Sequence, residues 1–152
     1  MASLANACTN PFAAELIWVG AYTGLRRGEL LRLTKDNIQD GYIVLDSKTK
    51  TGRPRLIPIH EKIADTITKL PLPISDAQLR KQWDKARLET GLTGIRFHDL
   101  RHTFASWLAA NGAQATDIRD LLGHTNLKTT SRYTHLLGRH LKSVVNRIGR
   151  KY

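Results

Sequence analysis

Apolar residues recur along the chain with two spacings, and the change between them divides it into elements. Residues 11–22 (PFAAELIWVGAY) follow a helical pattern, with Asn10 placed to cap it and Pro11 at its first position. Gly24 breaks that helix, and Arg26–Leu33 reads as a further helical turn or two. From Asp36 the pattern becomes strand-like. Ile43, Val44 and Leu45 form one run and Leu56–Ile59 another, joined by the polar stretch Lys48–Pro54, with Gly41 and Gly52 as turn glycines. That predicts a β-hairpin or small antiparallel sheet. The helical period then returns. His60–Leu70 is one helix, stopped by Pro71 and Pro73, and Ser75 caps another running to about Glu89, ended by Gly91 and Gly94. His98–Ala110 carries an apolar stripe of Leu100, Phe104, Trp107 and Leu108, and Gln114–Leu122 is a short helix closed by Gly123. Residues 126–133 and 139–149 complete the helical reading. The predicted fold class is α+β, mostly α-helical with one small antiparallel sheet, and no internal repeat or second domain stands out.

Composition narrows the functional classes. A chain of 152 residues is the size of one ordinary domain. With 41% hydrophobic and 24% charged residues it has the balance of a globular protein, not a disordered tail. No apolar run approaches the roughly 20 residues that span a bilayer, and no basic-then-apolar leader follows Met1. Cys8 is the single cysteine, so an internal disulfide is impossible. These features lead us to expect a cytoplasmic protein. Charge adds a partner class: 24 Lys and Arg against 13 Asp and Glu give a net charge of +11. Asp120 is the last acidic residue, and every charged side chain beyond it is Lys or Arg. Nucleic acid is the commonest partner of such a surface.

Four segments hold polar residues that core packing does not explain: Thr23–Leu30 (TGLRRGEL), Lys48–Arg55 (KTKTGRPR), His98–His102 (HDLRH), and Gly123-His124 with Tyr133 nine residues on. His98 and Arg101, three apart on a helix, project from one face and can share a phosphate, Arg through its fork and His as donor or proton carrier. His98 and His102 also have the spacing of a zinc pair. Asp99 stands where such helices carry Glu, however, and no third ligand is near in sequence, so no metal is expected. Tyr133 follows Thr129, Thr130, Ser131 and Arg132, a polar setting poorly suited to burial. Its hydroxyl, with an ordinary pKa of about 10, becomes a competent nucleophile where cations favour the phenolate. Lys50 on the hairpin connection can reach a groove and give a proton to a leaving alkoxide. Glu29 beside Arg26 and Arg27 is an acid placed to pair with either.

Taken in order, these segments resemble the signature of the tyrosine recombinases, the family that includes the phage integrases. The similarity runs over roughly residues 10–137. TGLRRGEL resembles the segment with that family's first catalytic arginine. This places the role on Arg26, directly after Thr-Gly-Leu, with Arg27 adjacent. TKTGRPRLIPI places the hairpin lysine on Lys50, with Lys48 as its nearest competitor. HDLRHTFAS marks His98 and Arg101, LLGH marks His124, and TTSRYTH puts the nucleophile at Tyr133.

The resemblance implies a site-specific recombinase that cuts and rejoins strands through a 3′-phosphotyrosyl link, without metal, cofactor or ATP. Arg26, Arg101 and His124 would hold the phosphate, His98 would accept the tyrosine proton, and Lys50 would protonate the 5′-oxygen. Glu29 would orient Arg26. Lys48, Arg53, Arg55, Arg27, Lys128 and Arg132 are the expected DNA contacts. The implied partners are an att-like double-stranded site, three further copies in a tetramer on DNA, and DNA-bending accessory proteins. The family's amino-terminal DNA-clamping domain has no counterpart here, so 1–152 is expected to be a single catalytic domain. Its tail, about 138–152, carries Leu141, Val144, Val145 and Ile148 on one side and would dock on itself or on a neighbouring subunit. Two other functions use the same charges: a DNA-binding module that does not cut, and a type IB topoisomerase-like enzyme that relaxes DNA.

Overall fold

The computed structural model describes residues 1–45 and 55–123, together with 145, 146 and 148. Helix α1 (Ala2–Asn6) precedes α2 (Pro11–Thr23), and a single turn, α3 (Arg27–Leu30), follows. A 3₁₀ turn at Lys35–Asn37 leads into strands β1 (Ile38–Gln39), β2 (Tyr42–Leu45) and β3 (Arg55–Pro58). A second 3₁₀ turn, Glu61–Ile63, runs into α4 (Ala64–Thr68), and α5 (Asp76–Glu89), α6 (Asp99–Ala110) and α7 (Ala115–Leu122) complete the order. The chain is thus mostly helical with a three-stranded antiparallel sheet in the order β1-β2-β3.

The local chemistry accounts for most element boundaries. Asn10 Oδ1 accepts from the Phe12 and Ala13 backbone N–H groups at 2.9 and 3.4 Å, and Pro11 contributes no N–H that would need a partner. Ser75 caps α5 by accepting from the Gln78 N–H, while the Gln78 side chain returns the contact to the Ser75 N–H. The strands β1 and β2 are joined by Asp40-Gly41, with φ of 49° and 81°, a two-residue turn that sets Gln39 opposite Tyr42. In the second pair Ile43 faces Ile57 and Leu45 faces Arg55.

Helix α2 is the centre of the domain and packs against α1, α3, α5 and α6. Its Leu16, Val19 and Tyr22 join Phe104 and Leu108 of α6, Ile43 and Ile57 of the sheet, and Leu121 of α7 in one core. Ile17 and Ala21, on another side of α2, meet Leu4, Trp83 and Leu100 in a second. Val145 and Ile148 are buried in the first core, and the His60 Nε2 lies 2.8 Å from the Ile148 carbonyl oxygen. At these residues the apolar side of the tail is seated on its own domain. No helix among the described residues is long and apolar enough to cross a membrane.

One expected helix needs adjusting. His60–Leu70 is not one helix but a 3₁₀ turn and a short α4, because the His60 side chain accepts from the Lys62 N–H at 3.0 Å and starts the segment tightly. Arg26–Leu33 yields the single turn α3, within the turn or two expected. Elements α1 and β1 were not anticipated. The helices expected at 126–133 and 139–149 lie outside the described residues, save 145, 146 and 148.

Candidate active site

The end of α2 sets the first side of the site. Thr23 is fully buried, donates from Oγ1 to the Val19 carbonyl at 2.6 Å, and accepts from the Leu25 N–H at 3.3 Å. Gly24 then turns the chain at φ 64°, a conformation that leaves its carbonyl available to a side chain. Immediately beyond, the Arg26 N–H donates to Glu29 Oε2 at 2.8 Å and its Nη1 to Glu29 Oε1 at 3.2 Å. Glu29 therefore both begins α3 and holds the arginine three residues before it. Arg27, one residue along, points elsewhere: its Nε sits 2.8 Å from Asp76 Oδ1.

Helix α6 supplies the second side. Asp99 accepts from the Arg96 N–H at 2.8 Å and so anchors the first turn, with His98 exposed just ahead of it. One turn on, Arg101 is 3% exposed. Its Nη1 donates to the Gly24 carbonyl at 2.8 Å and its Nη2 to the Leu122 carbonyl at 2.5 Å. Arg101 thus ties the carboxy-terminal ends of α2 and α7, whose last carbonyls have no partner within their own helices.

The sheet supplies the third side. Arg55 at the start of β3 is 5% exposed, with Nη2 2.5 Å from Glu29 Oε1 and Nη1 3.1 Å from the Leu122 carbonyl oxygen. The sequence reading placed Arg55 at the DNA surface, whereas the structure turns its guanidinium inward.

Among the described residues, Arg26 and Arg55 both bond the Glu29 carboxylate, and the buried Arg101 lies close enough to feel the charges of all three, so positive charge is in surplus here. Burial alone raises the Glu29 pKa, but the Arg26 N–H and the Arg55 charge outweigh it and hold the carboxyl below its ordinary value. Desolvation, reinforced by the charges of Arg26 and Arg55, draws Arg101 down to about 10. His98 is lowered by desolvation and then by the Arg101, His102 and Arg26 charges, which favours its neutral imidazole. An anion entering here relieves the mutual repulsion of Arg26 and Arg101, and a neutral imidazole beside it can take a proton. The His98 and His102 rings meet edge-on at 5.7 Å, and no group of three His, Cys, Asp or Glu among the described residues is arranged to hold a metal.

The model of the phage integrase family matches residues 69–140, a stretch that includes His98, Arg101, His124 and Tyr133. The solved catalytic domain of bacteriophage HP1 integrase overlays with a TM-score of 0.65 at 29% identity, covering 95% of this chain and 88% of that one. The chain belongs to the phage integrase family. Within the family it is similar to the integrase of Escherichia phage P2, at 32% identity over 128 residues, 82% of this chain and 38% of that protein. It is also similar to the tyrosine recombinase XerC of Lactobacillus leichmannii, at 35% identity over 127 residues, 77% of this chain and 43% of that protein. The chain thus spans less than half the length of these two relatives.

Of the residues singled out in sequence, Arg26 bonds Glu29, His98 and Arg101 lie close enough for their charges to act on one another and on Arg26, and Arg27 turns away to Asp76. Lys48, Lys50, Arg53, His124, Lys128, Arg132 and Tyr133 lie outside the described residues. The reading of motifs missed the inward Arg55 and the Leu122 carbonyl. A signal for Arg55 did exist, since it stands two residues from the buried Ile57 and so on the same face of β3. A separate cleft of about 240 Å³ lies between α5 and the segment before α6, lined by Arg27, Arg80, Arg87, Arg96, Trp83 and Phe97. Each of its arginines is already matched, to Asp76, Asp76, Asp84 and Asp99 respectively.

Proposed function

We propose that the chain is the catalytic domain of a site-specific DNA recombinase that cleaves and rejoins strands through a 3′-phosphotyrosyl intermediate at Tyr133. The observation that carries this reading is the nearness of Arg26, held by Glu29, to the buried Arg101, with His98 close enough to feel both charges. A phosphodiester there gains two guanidinium donors for its non-bridging oxygens, and they strengthen as charge builds in the transition state. Removing one such donor typically costs about 3–4 kcal/mol of transition-state stabilisation.

Tyr133 attacks the scissile phosphorus as its proton passes to His98. The P–O5′ bond breaks, Lys50 protonates the departing 5′-oxygen, and His124 adds a hydrogen bond to the phosphoryl oxygens. Because the ester to Tyr133 keeps the bond energy, attack by a 5′-hydroxyl reverses the step without ATP, and the two arginines supply the charge that a metal would otherwise give. Lys48, Arg53, Lys128, Arg132 and the half-exposed Arg27 contact the backbone of an att-like double-stranded site. Arg55, enclosed in the protein, is not among them. A homotetramer on DNA, helped by DNA-bending proteins in the cytoplasm of a bacterial host, carries out the exchange for a phage or mobile element.

The test is a candidate att-site duplex nicked beside the cleavage point, incubated with the chain in a metal chelator. Loss of the short 5′-hydroxyl fragment traps a covalent complex that survives a denaturing gel. The expected result is a shifted band with wild type and none with Tyr133→Phe. A complex seen only on a native gel, with no covalent band for duplexes that the chain binds, assigns it to DNA binding without cleavage.

A further inference from the structure

Arg55 is the buried charge that the proposed chemistry leaves unused. It sits at the first position of β3, opposite Leu45 and on the same face as Ile57. Placing a guanidinium there instead of an apolar side chain is costly unless its donors are matched. They are matched to two acceptors from different elements: the Glu29 carboxylate of α3 and the Leu122 carbonyl at the end of α7. Both acceptors are shared with other arginines of the site. Glu29 Oε1 also accepts from Arg26 Nη1, and the Leu122 carbonyl also accepts from Arg101 Nη2.

Gly123 shows how closely the side chain is held. It closes α7 at φ 72°, and a Cβ built on it would lie 2.3 Å from Arg55 Cδ and 3.0 Å from its Nε. The Arg55 side chain therefore crosses the bare backbone of the residue that immediately precedes His124. We infer that Arg55 is a positioning residue, which fixes Glu29, and through it Arg26, and locks the Leu122-Gly123 end of α7 to the frame that Arg101 holds. The inference rests on the proposed recombinase reading for its consequence in cleavage, but the coupling is a property of the folded chain without DNA.

The mechanism depends on the planar fork. A lysine at 55 keeps the charge but offers one compact donor head, which cannot bridge Glu29 and the Leu122 carbonyl in the same way. With Glu29 Oε1 released, Arg26 follows the carboxylate instead of standing ready for phosphate. Misplacement of a reacting group by about 1 Å is enough to cost on the order of 100-fold in rate.

The experiment compares wild type, Arg55→Lys and Arg26→Lys with ¹⁵N-labelled arginine, the last variant serving to assign the Arg26 signal. In wild type without DNA, the Arg55 guanidinium protons should exchange far more slowly than those of the exposed Arg32. Exchange at the Arg32 rate overturns the inference with no variant needed. In Arg55→Lys, exchange at the Arg26 guanidinium should accelerate, and an unchanged Arg26 signal overturns it. On the nicked duplex, the single-turnover cleavage rate of Arg55→Lys at saturating DNA should fall by about 10- to 100-fold while DNA affinity stays within about twofold. A rate equal to wild type, or a rate restored simply by adding more DNA, overturns it. Should wild type form no adduct, the recombinase reading falls, whereas the exchange measurements still decide whether Arg55 holds Glu29 and Arg26.

Discussion

Replacing Glu29 by Gln probes the centre of the charge cluster while changing almost no volume. The carboxylate is 9% exposed and pairs with Arg55, 5% exposed, so neither group can recover its contact from water. Removing one partner of a buried ion pair costs about 3–5 kcal/mol, because the other charge is left uncompensated. Gln keeps an oxygen for the Arg26 N–H, which places the expected loss near the lower end, about 3 kcal/mol. For a domain of this size that is a fall in Tm of roughly 6–12 °C. As a control, Glu89→Gln removes an exposed pair with Lys85 at 3.5 Å and should change stability by no more than about 0.5 kcal/mol.

The assay is urea denaturation at pH 7, repeated towards pH 3. The folded pKa of Glu29 lies below its unfolded value of about 4.3. Its stabilising contribution is therefore complete above that value and disappears as the pH falls through the depressed one. The gap between wild type and Glu29→Gln should be widest at neutral pH and close in acid. A loss below about 1 kcal/mol at pH 7 with an unchanged urea slope, or a gap that widens in acid, refutes the claim that this pair holds the site together.

Other perturbations follow from the same geometry. Gly24→Ala puts a side chain at φ 64° with its Cβ 2.6 Å from Phe104 Cδ1 and 2.8 Å from Leu122 Cδ2. The strain and overpacking should destabilise by about 2–4 kcal/mol in urea titration, and a change under 1 kcal/mol would mean the corner is loosely packed. Arg26→Ala and Arg27→Ala should separate cleanly. The first should lower single-turnover cleavage by about 100-fold or more. The second should weaken DNA binding and reduce its salt slope by about one, with cleavage at saturation retained; reversed effects would move the catalytic role to Arg27. Burial lowers the pKa of His60, so stability should fall as the pH drops below the unfolded value of about 6.5. His60→Gln should flatten that slope between pH 7 and 5, and an unchanged slope would place the titration elsewhere.

How far the sequence could be read depended on whether a feature was local. Asn10-Pro11, Ser75 with Gln78, and Gly123 are caps whose chemistry acts within one turn, and α2, α5 and α7 begin or end beside them. The apolar stripe of α6 was visible because Leu100, Phe104 and Leu108 are spaced for one buried face. Helix α1 is only five residues long, and its Leu4 and Ala5 are buried against α2 and α5, so its reason to form lies elsewhere in the chain. Strand β1 is two residues long, and the one clue to it was the Asp40-Gly41 turn.

The site was legible as an ordered set of motifs, but not as a geometry. Nothing near Arg55 in sequence announces a carboxylate 26 positions away or a carbonyl 67 positions away. The same limit explains Arg27. Its neighbour Arg26 lies three residues before the acid that holds it, whereas the partner of Arg27 is Asp76 on α5.

The most direct test of the central claim is to locate the covalent bond. The trapped protein–DNA complex, digested with nuclease and protease and read by mass spectrometry, should carry a nucleotide phosphate on the peptide containing Tyr133 and on no other. A phosphate linked to any other residue, or an adduct that persists in Tyr133→Phe, contradicts the account.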